Sequence, residues 1–223
     1  MRRFPTIFIT AALALALPLS LLPSAAQASE FNKVNGSVKV DAGQQTGDVS
    51  TVNGAVRVGD GATVQKASTV NGSIELGDKA QAKTLETVNG SVTLGTGSRV
   101  GGEVTTVNGS LNLAQGADVA GKLSNVNGAI VMNAAHVAGG IETIGGDITV
   151  GANSHVEGGI LVKKPTGTWH WGNSHDPLIV IGPHTVVQGA LEFQHEVVLK
   201  VSDSAQIGPV KGATVIKFSG ATP

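Results

Sequence analysis

The residues best suited to chemistry in this chain of 223 residues are its six histidines, and their surroundings do not form a catalytic or metal-binding pattern. His170 and His175 lie close together, but Asp176 is the only carboxylate beside them. Metal sites need several ligands at short spacing, and the chain has no cysteine to add. Neither the histidine base of an acyltransferase nor the acidic cluster of a polysaccharide lyase is recognisable. We therefore predict no metal, no cofactor, no catalytic residue and no enzyme.

Both tryptophans of the chain lie in the same segment, residues 163–177, which has the Gly, Pro and Asn content of a loop. Loops on a rigid scaffold often carry binding, and tryptophan is favoured in contacts with sugars and proteins. The sequence therefore indicates a candidate binding loop formed by Trp169, His170, Trp171 and His175. The alternative is that the indole rings fold back and shield one face of the body.

The body that must hold this loop is built from a repeated phrase. Val-Asn-Gly occurs six times and is followed by a degenerate Ile-Gly-Gly. The copies begin at Val34, Val52, Val70, Val88, Val107, Val126 and Ile144, in steps of 18 or 19 residues. A fixed period of this size marks a repeat architecture. Short β-branched stretches ended by Gly, Asn, Asp or Ser predict strands. We predict an all-β fold: a single-stranded, three-sided parallel β-helix (solenoid) with about 18 residues per rung and about nine rungs.

The apolar residues of one rung predict which side chains face its lumen. In residues 88–106, an apolar residue stands at every sixth position, at Val88, Leu94 and Val100. The fifth position of each six-residue side is also small or apolar; these residues are Val92, Ser98 and Val104. We therefore expect the recurring valine to point inward. The Thr before it and the Asn after it would then form two outward ladders on a flat face that resembles the face of ice-binding β-solenoids.

His136 and His155 occupy equivalent positions in successive rungs of this repeat. Each precedes a valine that we expect in the lumen, so both imidazoles should lie outside, one above the other, in solvent. A column of histidines could respond to pH. Surface histidines usually have no such role, and we assign none to this pair.

A hairpin array is the main alternative, because Asn-Gly between apolar residues is a strong local hairpin signal. A hairpin at Asn71 and Gly72 would place Val70 and Ile74 on opposite faces, and the apolar set would be divided between the two sides of a sheet. We therefore favour the solenoid. In the solenoid, Asn-Gly forms a corner in which both residues accept a positive φ.

The handedness of the coil is left open by the residues themselves. Residues 150–155 and 181–186 resemble the hexapeptide repeat of left-handed β-helix acyltransferases. A left-handed, hexapeptide-repeat transferase-like protein is therefore the third of our functional hypotheses.

The first 28 residues have the features of a secretory signal peptide. A basic start precedes an apolar run, and Ala26-Gln27-Ala28 ends it, so we expect cleavage between Ala28 and Ser29. After cleavage, 13 basic and 16 acidic side chains remain, which gives no basic footprint for nucleic acid. We expect an exported protein without an integral membrane span, most simply periplasmic, or released from the cell. Residues 29–223 should form the solenoid domain, with 163–177 as an inserted loop and 212–223 as a C-terminal cap or tail.

Four phrases share the form small residue, any residue, Val, any residue, Gly, any residue, aliphatic residue. They span residues 98–104, 117–123, 135–141 and 154–160. Together with the Leu-Gly or Val-Gly upstream, they resemble the bactofilin family of polymer-forming proteins. The resemblance implies a right-handed three-sided β-helix that joins end to end without nucleotide and serves as a scaffold. Bactofilins are cytosolic and have disordered tails, so this chain would be an exported variant.

These observations lead to two main functional hypotheses. The first is a non-enzymatic, exported structural or scaffolding β-helix protein of the cell envelope that self-associates end to end. The second is a periplasmic module that binds a glycan or an envelope protein through the Trp169–Trp171 loop.

Overall fold

A computed structural model describes residues 30–165 and 176–223. These residues form a parallel β-solenoid of 26 short strands, in which every strand pairing is parallel. The predicted fold class is therefore confirmed, and the hairpin array is excluded, because hairpin strands pair antiparallel. The described residues contain no helix with the length and apolar character needed to cross a membrane.

The first side of the solenoid is a sheet of ten strands, one per turn. It consists of β2 (Val38–Val40), β4 (Val56–Val58), β6 (Ile74–Leu76), β8 (Val92–Leu94), β11 (Leu111–Leu113), β14 (Ile130–Met132), β17 (Ile148–Val150), β20 (Leu178–Ile181), β23 (Val198–Ser202) and β26 (Val215–Phe218). This count is one more than the nine rungs that we expected.

The second and third sides are joined into one sheet by two long strands that continue around a corner, β5 (Thr63–Asn71) and β7 (Gln81–Asn89). After the first halves of these strands, the second side continues with β9 (Arg99–Val100), β12 (Asp118–Val119), β15 (His136–Val137), β18 (His155–Val156), β21 (Val186–Val187) and β24 (Gln206–Ile207). The third side consists of β1 (Phe31–Asn35), β3 (Val49–Asn53), the second halves of β5 and β7, β10 (Val104–Asn108), β13 (Leu123–Asn127), β16 (Ile141–Thr143), β19 (Ile160–Val162), β22 (Leu191–Phe193) and β25 (Val210–Lys211).

The register of the strands follows the period of the sequence. Val38 pairs with Val56, 18 positions later, and Val92 pairs with Leu111, 19 positions later. At the inserted segment the step lengthens to 31, since Ile148 pairs with Ile179, and the following rung returns to the normal spacing. The insertion therefore adds length at one corner without shifting the stack.

The lumen is filled by two inward side chains from each side of each rung, with one outward residue between them. In the rung that begins with β8, these six residues are Val92, Leu94, Ser98, Val100, Val104 and Thr106, each at most 1 % exposed. The equivalent positions of other rungs are mostly valine, isoleucine, leucine and alanine. Burial of these aliphatic columns is the main stabilising contribution to the stack.

The third side corrects our prediction of which residues face the lumen. Val52, Val70 and Val88 point outward and are 39–40 % exposed, whereas Thr69 and Thr87 beside them are buried. Strand alternation accounts for this arrangement: Leu85 is inward, so the residue two positions later must be inward as well. The recurring valine therefore belongs to the surface, and the threonine belongs to the core.

The inward threonines have a polar partner inside the solenoid. The Thr69 hydroxyl donates a hydrogen bond to the Gly54 carbonyl oxygen at 2.9 Å, and the Thr87 hydroxyl donates to that of Gly72 at 3.0 Å. Thr51 and Thr106 repeat the contact in their own rungs. Each hydroxyl satisfies a corner carbonyl in the preceding rung, and a valine could not do so.

The Asn-Gly corners also differ from our expectation. The strand stays extended as far as the asparagine, and among the six described Asn-Gly pairs only Gly36 and Gly128 have a positive φ. Glycine is required mainly by close stacking, because a Cβ at Gly90 would lie 2.0 Å from the carbonyl oxygen of Gly72. The corner therefore selects glycine for its small size rather than for a left-handed backbone.

Candidate functional site

The insertion replaces the Asn-Gly corner of one rung, between the third side and the first side. The chain leaves after β19 and rejoins the stack at β20. The candidate binding residues Trp169, His170, Trp171 and His175 lie outside the described residues, as do Ala28 and Ser29 of the expected cleavage site. The structure thus describes the base of the loop, and the binding role of the loop stays a prediction.

The base of the insertion is held to the stack by hydrogen bonds on both arms. On the outgoing arm, the Lys164 amide donates to the Gln194 side-chain oxygen at 3.2 Å. On the returning arm, the Leu178 amide donates to the Asp147 carboxylate at 2.8 Å. His195 lies near the same corner, and its Nε2 is 2.8 Å from the carbonyl oxygen of Ile144. The loop is therefore tied to fixed points on the rungs before and after it.

A charged cluster lies beside the outgoing arm. The Lys163 ammonium group contacts the Glu142 carboxylate, and the Lys122 ammonium group lies 3.3 Å from the other oxygen of the same carboxylate. The hydrogen bond from Lys163 is the main cause of a lowered pKa of Glu142; desolvation opposes it and Lys122 reinforces it. This side chain is only 19 % exposed, so the cluster joins three rungs at the point where the loop leaves.

An asparagine ladder runs along the corner between the third and first sides. The Asn71 side-chain amide donates to the Asn53 amide oxygen at 3.0 Å, and Asn89 repeats this contact on Asn71. The complete ladder consists of Asn35, Asn53, Asn71, Asn89, Asn108 and Asn127. The asparagines therefore form the outward ladder that we predicted, and their mutual bonds stabilise the stacking of rungs.

An exposed valine column runs beside this ladder on the third side. Val34 is 67 % exposed at its end, and Val52, Val70 and Val88 continue it. The threonine ladder that we expected on this face is inside the solenoid instead. The hypothesis of a threonine-based ice-binding face was therefore wrong, because the outward hydroxyls it requires are hydrogen-bonded in the core.

The second side carries a cluster around His136. Its Nδ1 is 2.5 Å from the Asp118 carboxylate in the rung before, and its Nε2 is 3.2 Å from the Glu157 carboxylate in the rung after. The hydrogen bond with Asp118 is the main cause of a raised pKa of His136; burial opposes it, and Glu157 adds to it. His155 pairs with His136 as expected, but the two rings meet edge to face with centroids 5.4 Å apart.

The sequence analysis missed the two carboxylates of this cluster. Asp118 pairs in register with His136, so superposing successive rungs would have revealed the contact. Within residues 30–165 and 176–223, no group of three or more His, Cys, Asp or Glu side chains is placed to hold a metal ion. The cluster is therefore an ion-paired set of side chains on the surface of the second side.

The two ends of the rod leave strand edges open. Within the described part of the chain, β1 and β2 at one end, and β24, β25 and β26 at the other, each pair with one strand only. At the C-terminal end, Ile207, Val210 and Val215 pack against the core but are only partly buried. This end therefore presents both unpaired backbone groups and exposed apolar side chains.

No protein-family model, no protein of established function and no solved structure matches the chain. What the fold itself supports is a parallel β-solenoid of about 18 residues per turn.

Proposed function

We propose that this chain is a non-enzymatic structural protein of the bactofilin-like type that is exported and acts as a scaffold in the cell envelope, joining end to end. The observation that carries the proposal is the pair of open rod ends. An unpaired strand edge is a template for another strand. A second copy placed with its N-terminal end on the C-terminal end of the first would continue the parallel stacking at about 4.8 Å per rung.

The C-terminal end supplies an apolar contribution to such contact. Ile207, Val210 and Val215 would become fully buried when another rung covers them. Because the two ends of the rod are different surfaces, the contact is heterologous and does not close. Repeated addition would therefore produce filaments rather than a dimer.

The filled lumen supports a structural role rather than a catalytic one. Its side chains are mostly aliphatic, as Leu94, Val100 and Val104 illustrate for one rung. A close-packed interior of this kind leaves no room for a substrate.

The test is the mass of the purified mature protein as a function of concentration, measured by sedimentation velocity and accompanied by electron microscopy. We expect the mass to increase with concentration and rods longer than one molecule to form. Val210→Lys places a charge at the exposed C-terminal end and should keep the protein monomeric. Val131→Lys is the control, because Val131 points outward in the middle of the rod and is 37 % exposed. A wild-type protein that stays monomeric at every concentration contradicts end-to-end association.

Binding through the tryptophan loop is a second candidate function, and the anchored base of the insertion supports it. The bonds at Lys164 and Leu178 fix both arms of the insertion on a rigid stack, as a binding loop requires. The test is quenching of tryptophan fluorescence by soluble envelope glycans, compared with binding of immobilised glycans by a Trp169→Ala/Trp171→Ala variant. Equal retention of both proteins contradicts this function.

A further inference from the structure

The six Asn-Gly pairs of the repeat share a chemical weakness that the solenoid controls unequally. In an Asn-Gly pair, the backbone nitrogen of the glycine can attack the side-chain carbonyl carbon of the asparagine, because no Cβ stands in the way. The attack requires a glycine N–H that is not held in a hydrogen bond and an asparagine side chain that can turn toward it. The structure shows where these conditions differ.

Five of the six glycine amides are engaged. Each donates a hydrogen bond to the carbonyl oxygen of the asparagine in the next rung, at 2.9–3.0 Å. The donors are Gly36, Gly54, Gly72, Gly90 and Gly109. The asparagine side chains of these pairs are also held, since each contributes to the ladder on both sides or at its first position. Reaction at these corners requires local opening of the stack.

The sixth pair, Asn127 and Gly128, lies where the ladder ends. The next rung has Gly145 in the position of the asparagine, and the Gly128 amide has no hydrogen-bond acceptor among the described residues. The side-chain nitrogen of Asn127 donates to Asn108 at 3.2 Å, and within the described chain no further asparagine donates to its oxygen. Both reacting groups are therefore less restrained than in any earlier copy.

The corner itself has a different shape at this rung. Gly128 has φ +122°, whereas Gly54, Gly72 and Gly90 are outside the positive region. Asn125 replaces the inward threonine here, and its side-chain nitrogen donates to the Gly128 carbonyl oxygen at 2.7 Å. This bond, made within one rung, has no counterpart at the threonine corners, where the hydroxyl reaches only the preceding rung.

We propose that Asn127-Gly128 is a site of spontaneous deamidation in the folded protein. The Gly128 nitrogen loses its proton and forms a bond to the Asn127 side-chain carbonyl carbon. The bond from that carbon to Nδ2 breaks, and the nitrogen leaves as ammonia with the proton. Water then opens the cyclic imide at either carbonyl and yields aspartate or isoaspartate.

The product changes the surface at the end of the ladder. Asn108 loses the side-chain donor that Asn127 provides, and a carboxylate appears beside a corner of uncharged residues. The isoaspartate form also adds a methylene group to the backbone of a tightly stacked rung. The modification therefore marks one rung of the solenoid chemically and leaves the other five asparagine corners intact.

The chain contains its own matched control for this proposal. Val52-Asn53-Gly54-Ala55 and Val126-Asn127-Gly128-Ala129 are identical tetrapeptides. Any difference in their reaction rates must therefore come from the fold. The Gly54 amide is bonded to the Asn71 carbonyl oxygen at 3.0 Å, so it must first give up that bond.

The experiment is incubation of the folded protein at mildly alkaline pH, followed by peptide mapping by mass spectrometry and enzymatic labelling of isoaspartate. We expect Asn127 to convert at least about fivefold faster than Asn53, since one backbone hydrogen bond restrains only the latter. In denaturant the two sites should react at equal rates. An Asn127→Gln variant should lose the early product without a new one at the other corners. The proposal is overturned if Asn53 converts as fast as Asn127 in the folded protein, or if the difference persists in denaturant.

Discussion

The exchange of two neighbouring side chains in β7 tests the assignment of the lumen-facing residues. Thr87 is 4 % exposed and Val88 is 40 % exposed, although the sequence alone favoured the opposite arrangement. Thr87→Val and Val88→Thr make the same chemical change in reverse at adjacent positions. Their effects on the free energy of unfolding should therefore be very different.

The expected magnitude follows from the contact inside the lumen. Thr87→Val removes the hydroxyl that donates to the Gly72 carbonyl oxygen at 3.0 Å, and the buried carbonyl loses this donor. A loss of this kind costs about 1–3 kcal/mol. Val88→Thr places a hydroxyl on a side chain that water already reaches, so the change should stay within about 0.5 kcal/mol.

The assay is urea unfolding of the mature protein followed by circular dichroism, with native-state hydrogen exchange to locate the effect. Exchange is needed because a solenoid is stabilised rung by rung and its unfolding need not be two-state. For Thr87→Val, faster exchange should be confined to the rungs beside β7. Thr87→Ser, which keeps the donor, should recover part of the loss.

The result that would refute the reasoning is a reversal of the two effects. If valine 88 faced the lumen, Val88→Thr would bury a hydroxyl without a partner and would be the costly change. Thr87→Val would then be harmless or stabilising. Equal effects of the two variants would also contradict the structure.

Two further predictions concern the second side and the corners. Because Asp118 and then Glu157 raise the pKa of His136 above 6.5, the imidazolium should contribute stability that is complete below that pH and is lost as pH rises through the folded pKa. His136→Gln should therefore flatten the dependence of unfolding free energy on pH between about 5 and 8; an unchanged slope would contradict this. Gly90→Ala should destabilise the protein by about 1–3 kcal/mol or more in thermal or urea unfolding, because its Cβ would lie 2.0 Å from a backbone oxygen of the preceding rung. Gly101→Ala is its control and should be neutral, since the nearest atom to that Cβ is 4.0 Å away.

The fold could be predicted from the sequence because the period appears directly in it. Each rung contacts only its neighbours, so a step of 18 or 19 residues determines which side chains meet. The resumption of the pattern at Ile179 after the insertion could be predicted for the same reason. The outward asparagine ladder follows from one residue type recurring at a strand end.

The orientation of the recurring valine could not be predicted from apolar character. Val88 and Thr87 are both β-branched, and hydrophobicity favoured valine in the lumen. The decisive partner of Thr87 is a backbone carbonyl in the preceding rung, which composition does not reveal. Counting two positions from the inward Leu85 would have given the correct side.

The contacts of His136 lay within reach of the sequence but required a different alignment. Asp118 is 18 positions earlier and pairs with it in register, so the neighbour was fixed by the period. Glu157 belongs to another column, and its contact depends on the reach of a flexible side chain. The period fixes which backbone positions meet, and side-chain length decides the remaining contacts.

The lengthened step between Ile148 and Ile179 has a consequence for engineering this chain. Extra sequence at a corner is accommodated outside the stack, and the later rungs recover their spacing at once. Corner length and rung geometry are therefore independent variables in this architecture. A peptide grafted at another asparagine corner would be displayed at a height on the rod set by the number of turns beneath it, which makes the solenoid a ruler on which epitopes can be mounted at chosen intervals.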